Sequence, residues 1–61
     1  MRALTERQMA GQQRRSLRAI RVRLLLMAEA WEGIDQFNLA QLTELADQAE
    51  KVAVDMIADE E

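Results

Sequence analysis

Apolar residues recur along most of this 61-residue chain at steps of three and four, with polar and charged residues between them. This spacing matches the period of an α-helix with one apolar side, and the strict alternation typical of a half-buried β-strand is absent. Ala, Leu, Gln, Glu and Arg, which favour helices, dominate the composition, and the chain contains no Pro. The pattern predicts an all-α protein.

The first helix is predicted over about residues 5–32. Thr5 followed by Gln8 fits a capping box, in which each side chain accepts a backbone N–H that the helix leaves unpaired. Gly33 is suited to the left-handed conformation that ends many helices. These two signals bound the helix at its start and at its end.

The second helix is predicted over about residues 38–58, between a turn at 33–37 and an acidic tail at 59–61. Asn38 with Gln41 repeats the capping signal in an Asn form. Because so short a connection returns the chain alongside the first helix, we predict an antiparallel two-helix hairpin. Residues 1–61 then form a single helical-hairpin domain.

One apolar stripe of each predicted helix is expected to face the other helix. In an antiparallel arrangement, large residues of one stripe come level with small residues of the other at several points, as interdigitated packing requires. The predicted hairpin core comprises Leu17, Ile20, Leu24, Met27, Trp31, Leu42, Leu45, Ala49, Val52 and Met56.

The stretch RVRLLLMA at residues 21–28 has apolar side chains on more than one side of the first helix. A second apolar patch therefore lies away from the predicted hairpin core; its residues are Ala19, Val22, Leu25, Leu26 and Ala30. Small chains without disulfides or metals usually need a partner for stability, and exposed apolar patches favour association. We expect a homodimer or higher oligomer, with two hairpins forming a four-helix bundle, or a different protein bound at this patch.

Charge is divided sharply along the chain. Residues 1–28 carry seven Arg and one Glu, whereas residues 29–61 carry one Lys and ten acidic residues. Four arginines fall within about 60° of one another on a helical wheel and are candidate nucleic-acid contacts; they are Arg7, Arg14, Arg18 and Arg21. The alternative is that the basic helix pairs with the acidic one, with Arg18 level with Asp55 and Arg23 level with Glu50.

The composition argues against catalysis and cofactor binding. The chain contains no Cys and no His, no Gly-rich phosphate loop and no metal-ligand pattern. Two helices also provide little concavity for a small-molecule substrate. We therefore expect no catalytic, cofactor-binding or metal site, and no membrane span, because no apolar run approaches ~20 residues. A cytoplasmic location is consistent with the absence of Cys.

The layout of about sixty residues in two capped antiparallel helices resembles that of Rop-type plasmid copy-number regulators, whose dimeric bundle binds RNA. The resemblance is one of architecture, and no binding positions are carried across from it. The function we predict is that of a self-associating, non-catalytic protein that binds another protein as an adaptor or inhibitor, of the kind that phages and plasmids encode. An RNA- or DNA-binding regulator is the alternative, and a purely structural assembly element is a third possibility.

Overall fold

The computed structural model describes residues 5–56, which form two α-helices packed against each other. Helix α1 spans Glu6–Glu29 and helix α2 spans Gln36–Asp55, and residues 5–56 contain no strand. The predicted all-α helical hairpin is confirmed. The predicted acidic tail at 59–61 and the end of the predicted second helix lie outside the described residues.

Helix α1 begins with the capping box that the sequence predicted. The backbone N–H of Gln8 donates to the Thr5 hydroxyl at 3.0 Å, and the N–H of Thr5 donates to the Gln8 side-chain oxygen at 3.1 Å. Both partners lie within four residues of each other, so the interaction depends on local sequence alone.

The connection between the helices is a tight turn that begins at Ala30. The N–H of Trp31 donates to the carbonyl of Ala28 at 2.9 Å, and the N–H groups of Ile34 and Asp35 both donate to the carbonyl of Trp31, at 2.8 and 3.0 Å. Gly33 has a φ of 78°, the left-handed conformation that the sequence predicted for it. Helix α1 therefore ends at Glu29, whereas the sequence predicted an end near residue 32.

The N-cap of helix α2 lies three residues earlier than the sequence predicted, because Asp35 and not Asn38 caps the helix. The Asp35 carboxylate accepts the backbone N–H of Phe37 at 3.0 Å and that of Asn38 at 3.3 Å. The Asn38 side chain also donates to Asp35, at 3.4 Å. Both residue types are good N-caps, and Asp additionally places a negative charge at the positive end of the helix dipole.

The residues that lie between the helices follow a strict alternation of three- and four-residue steps, which is the pattern of a coiled coil. We call them the interhelical seam: Arg14, Leu17, Arg21, Leu24 and Ala28 on α1, with Trp31 in the turn after it, and Leu39, Leu42, Ala46, Ala49 and Ala53 on α2, with Met56 as its C-cap. Its most buried members are Ala28, Ala46 and Ala53, with exposures of 4%, 0% and 0%. Small side chains at these positions let the two helices approach closely.

An ion pair shows the register of the two helices. The Arg18 guanidinium donates to both carboxylate oxygens of Glu50, each at 3.4 Å. The sequence had placed Arg18 level with Asp55 and Glu50 level with Arg23, and both pairings are corrected by this register. The physical reason is the shorter turn, since the earlier start of α2 shifts it by about one helical turn along α1.

The hairpin is a single layer of helices. Its radius of gyration is 14.7 Å, compared with about 10.5 Å expected for a compact domain of this length. Its smallest principal extent is 11 Å, which leaves no room for a second layer. Since no large apolar side chain among residues 5–56 is fully buried, the hairpin has a thin core made mainly of Ala.

Candidate interaction surfaces

The residues predicted as the hairpin core divide into two groups in the structure. Six lie on the interhelical seam and are partly buried: Leu17, Leu24, Trp31, Leu42, Ala49 and Met56. The other four, Ile20, Met27, Leu45 and Val52, remain 47–50% exposed. The seam is therefore narrower than the apolar stripes from which the core was predicted.

Both helices are rotated by roughly 50° from the orientation that the apolar stripes alone predicted. The rotation brings Arg14 and Arg21 onto the seam and turns Ile20 and Met27 toward solvent. Because of this rotation, each apolar stripe lies partly between the two helices and partly beside them. Close packing of alanines and the ion pair beside the seam both favour this orientation.

The four half-exposed residues lie on one side of the hairpin, which we call the lateral apolar face. Arg18 and Glu50 meet on one side of the seam, and the positions that flank the seam on its other side are Ile20, Met27, Leu45 and Val52. The register places Ile20 close to the level of Val52, and Met27 close to the level of Leu45. The face thus crosses both helices at two levels.

A second apolar surface lies on the side of α1 that faces away from α2. We call it the outer patch of α1, and it consists of Ala19, Val22, Leu26 and Ala30, all of them exposed. Val22 and Leu26 are 54% and 61% exposed. Leu25, which the sequence placed in the same patch, is partly buried beside the seam.

The four arginines predicted as nucleic-acid contacts have different environments. Arg18 pairs with Glu50, whereas Arg14 and Arg21 are partly buried on the seam and Arg7 is exposed near the start of α1. The Nε atom of Arg21 is buried without a hydrogen-bond partner among the described residues. The positions of Arg14 and Arg21 on the seam were not predicted, since the apolar pattern predicts apolar residues there.

A shallow depression lies on the first turns of α1, around Gly11. It has a volume of about 370 Å³ and is lined by Arg7, Gln8, Gly11, Gln12 and Arg15. These five residues belong to one face of a single helix, so the depression is open to solvent. Its two arginines make it a surface that attracts anions.

The described residues offer neither a metal site nor a membrane-spanning helix. No group of three or more Asp or Glu residues among residues 5–56 is arranged to hold a metal ion. Neither described helix combines the length and the apolar character that crossing a membrane requires. Residues 5–56 expose the two apolar surfaces, the arginines, and Ile34 and Phe37 near the turn, which are 72% and 67% exposed.

No family model, curated protein or solved structure matches the chain. Residues 5–56 form a two-helix hairpin that exposes apolar side chains on its lateral face and on the outer side of α1.

Proposed function

We propose that this chain is a small non-catalytic protein that self-associates and acts by binding another protein, as an adaptor or inhibitor. One observation carries the proposal: three alanines are the buried apolar residues of the described hairpin, while ten large apolar side chains are 41–72% exposed. Burying such side chains stabilises a protein by about 1.5–3 kcal/mol each, so a second surface that covers them is strongly favoured.

Two separate apolar surfaces support two kinds of partner. The lateral apolar face crosses both helices and continues the hairpin's own core, which suits a second copy of the chain. The outer patch of α1 lies on one helix and is bordered by Arg15 and Arg23. A partner that suits this patch is an amphipathic helix whose apolar stripe contacts the patch and whose flanking acidic residues lie beside the two arginines.

Self-association is tested by light scattering on a size-exclusion column at low and moderate salt, with absorbance recorded at 260 and 280 nm. We expect a mass of at least twice 7.0 kDa at both salt concentrations, because apolar contacts are screened little by salt. A monomer throughout the accessible concentration range would contradict this part of the proposal.

Binding at the outer patch of α1 is tested with a labelled synthetic helix that carries a Leu stripe flanked by Glu. We expect saturable binding by fluorescence anisotropy, and loss of that binding in Leu26→Glu. The matched control is Gln48→Glu on α2, which adds the same charged side chain away from the patch. Equal binding by Leu26→Glu and the unsubstituted chain would remove the outer patch as a partner site.

Nucleic-acid binding is the second candidate, and the arginine-lined depression at Gly11 is the observation that favours it. Binding to phosphates would weaken steeply with salt, by about 0.7 to 0.9 log units per log unit of salt for each contact. Nucleic acid that elutes with the protein only at low salt would support this function. Its absence at both salt concentrations would count against nucleic-acid binding and would leave protein binding and a purely structural role as candidates.

A further inference from the structure

We propose that the lateral apolar face is a homodimer interface in which α1 of each copy packs against α2 of the other. The inference rests on the self-association proposed above and specifies its surface and its arrangement. Three features indicate that a second copy of the chain covers this face. They are the apolar area that the face exposes, the symmetry of the face and the charges of the two helices.

The lateral apolar face exposes apolar area that a second copy would cover. Its four side chains are each 47–50% exposed in the single hairpin. A standard interface covers about 800 Å² on each partner. A second single-layer hairpin laid on the lateral apolar face would give a two-layer bundle of four helices and cover the half-exposed side chains.

Two arrangements bury the lateral apolar face against itself. With a two-fold axis parallel to the helices, every residue stays at its own level, so Ile20 lies over Val52 of the second copy and Met27 over its Leu45. With an axis perpendicular to the helices, α1 lies over α1 and α2 over α2. Both arrangements make all neighbouring helices antiparallel, and apolar contacts alone do not separate them.

The helix charges favour the first arrangement. Helix α1 carries six Arg and two Glu, a net +4, whereas α2 carries four acidic residues and one Lys, a net −3. Packing α1 on α2 of the second copy places each basic helix beside two acidic ones. Packing α1 on α1 brings like charges together, which is destabilising.

The neighbours of Arg23 differ between the two arrangements. Arg23 is exposed and borders the lateral apolar face, roughly 40° around α1 from Met27. In the first arrangement it lies within about one turn of Glu44 and Gln48 of the second copy. In the other arrangement the two-fold axis passes midway between Ile20 and Met27, so the Arg23 side chains of the two copies lie side by side.

The surface is tested by measuring the dimer dissociation constant by sedimentation equilibrium. We expect Met27→Glu to weaken the dimer by a factor of roughly 30 or more, because it buries an unpaired charge. Val54→Glu, at a 48% exposed position of α2 on the Arg18–Glu50 side of the hairpin, is the matched control and should change the constant by less than about threefold. A dimer that survives Met27→Glu and is lost in Leu26→Glu would overturn the inference while leaving self-association intact.

The arrangement is tested by charge reversal. Arg23→Glu should weaken the dimer roughly 3- to 30-fold, because residue 23 of each copy faces the acidic α2 of the other copy, so the substitution acts twice in one dimer. Arg15→Glu makes the same change in net charge on the outer side of α1 and should have little effect. In the other arrangement Arg23→Glu replaces one like-charged pair with another, so a dimer of unchanged or greater affinity would indicate that α1 packs on α1 and would overturn the proposed arrangement.

Cross-linking gives a test that does not depend on a destabilised variant. Because the chain has no Cys, single introduced cysteines react alone. A mixture of Arg23→Cys and Gln48→Cys chains, treated with a short bis-maleimide, should give a cross-linked species that contains one of each. Cross-linking of Arg23→Cys with itself at higher yield than the mixture would contradict the proposal.

Discussion

At the scale of single residues, the ends of the helices depend on side chains within a few positions of each other. The Thr5–Gln8 capping box was predictable because both partners belong to one turn of one helix. The start of α2 was not predictable in the same way, because Asp35 and Asn38 are both suitable caps. In the structure Asn38 instead donates to Asp35 from within the helix.

The two glycines should respond in opposite directions to the same substitution. Gly33→Ala should lower the free energy of unfolding by about 1–2 kcal/mol, because Gly33 has a φ of 78° that an L side chain disfavours. Gly11→Ala should raise it by about 0.5–1 kcal/mol, since a Cβ there meets only Arg14 Nη2 at 3.8 Å, an ordinary contact. Urea unfolding at one fixed chain concentration measures both. Unchanged stability in Gly33→Ala would contradict the role given to the turn.

At the scale of helices, the alanines of the interhelical seam determine how closely α1 and α2 pack. Ala46→Leu or Ala53→Leu should lower the free energy of unfolding by about 1–3 kcal/mol, because both positions are fully buried and a larger side chain forces the helices apart. Ala40→Leu, at an exposed position of α2, is the matched control and should change stability by less than about 0.5 kcal/mol. Equal effects at all three positions would argue against a close seam.

Substitutions of the ion pair between Arg18 and Glu50 test the register of the two helices. Arg18→Glu should destabilise the hairpin by up to about 1 kcal/mol, since the pair is exposed, and the loss should shrink at high salt. Adding Glu50→Arg should recover part of the loss, whereas adding Asp55→Arg should recover less. Thermal unfolding of the three variants decides between the observed register and the one that the sequence predicted. Greater recovery with Asp55→Arg would support the register predicted from the sequence.

At the scale of the whole molecule, a hairpin with a thin core should depend on its neighbour for stability. If the folded form is a dimer, its melting temperature should rise by roughly 10 °C for a 100-fold increase in chain concentration, because association stabilises the native state by mass action. Circular dichroism at two concentrations measures the shift. A melting temperature independent of concentration would indicate a hairpin that is stable alone.

The sequence by itself determined the features that depend on local interactions. Helix period, the Thr5 cap and the left-handed Gly33 follow from residues close together in the chain, so the all-α hairpin was predictable. The division of the chain into a basic half and an acidic half was equally plain.

Tertiary structure decided which apolar residues lie between the helices and which face solvent. The apolar stripes are wider than one interhelical seam, and their pattern alone did not specify a rotation of roughly 50° about each helix axis. Packing of Ala28, Ala46 and Ala53, together with the Arg18–Glu50 pair, selected the orientation that leaves Met27 exposed. Such contacts join residues far apart in the chain, and their relative positions depend on where the turn ends and α2 begins.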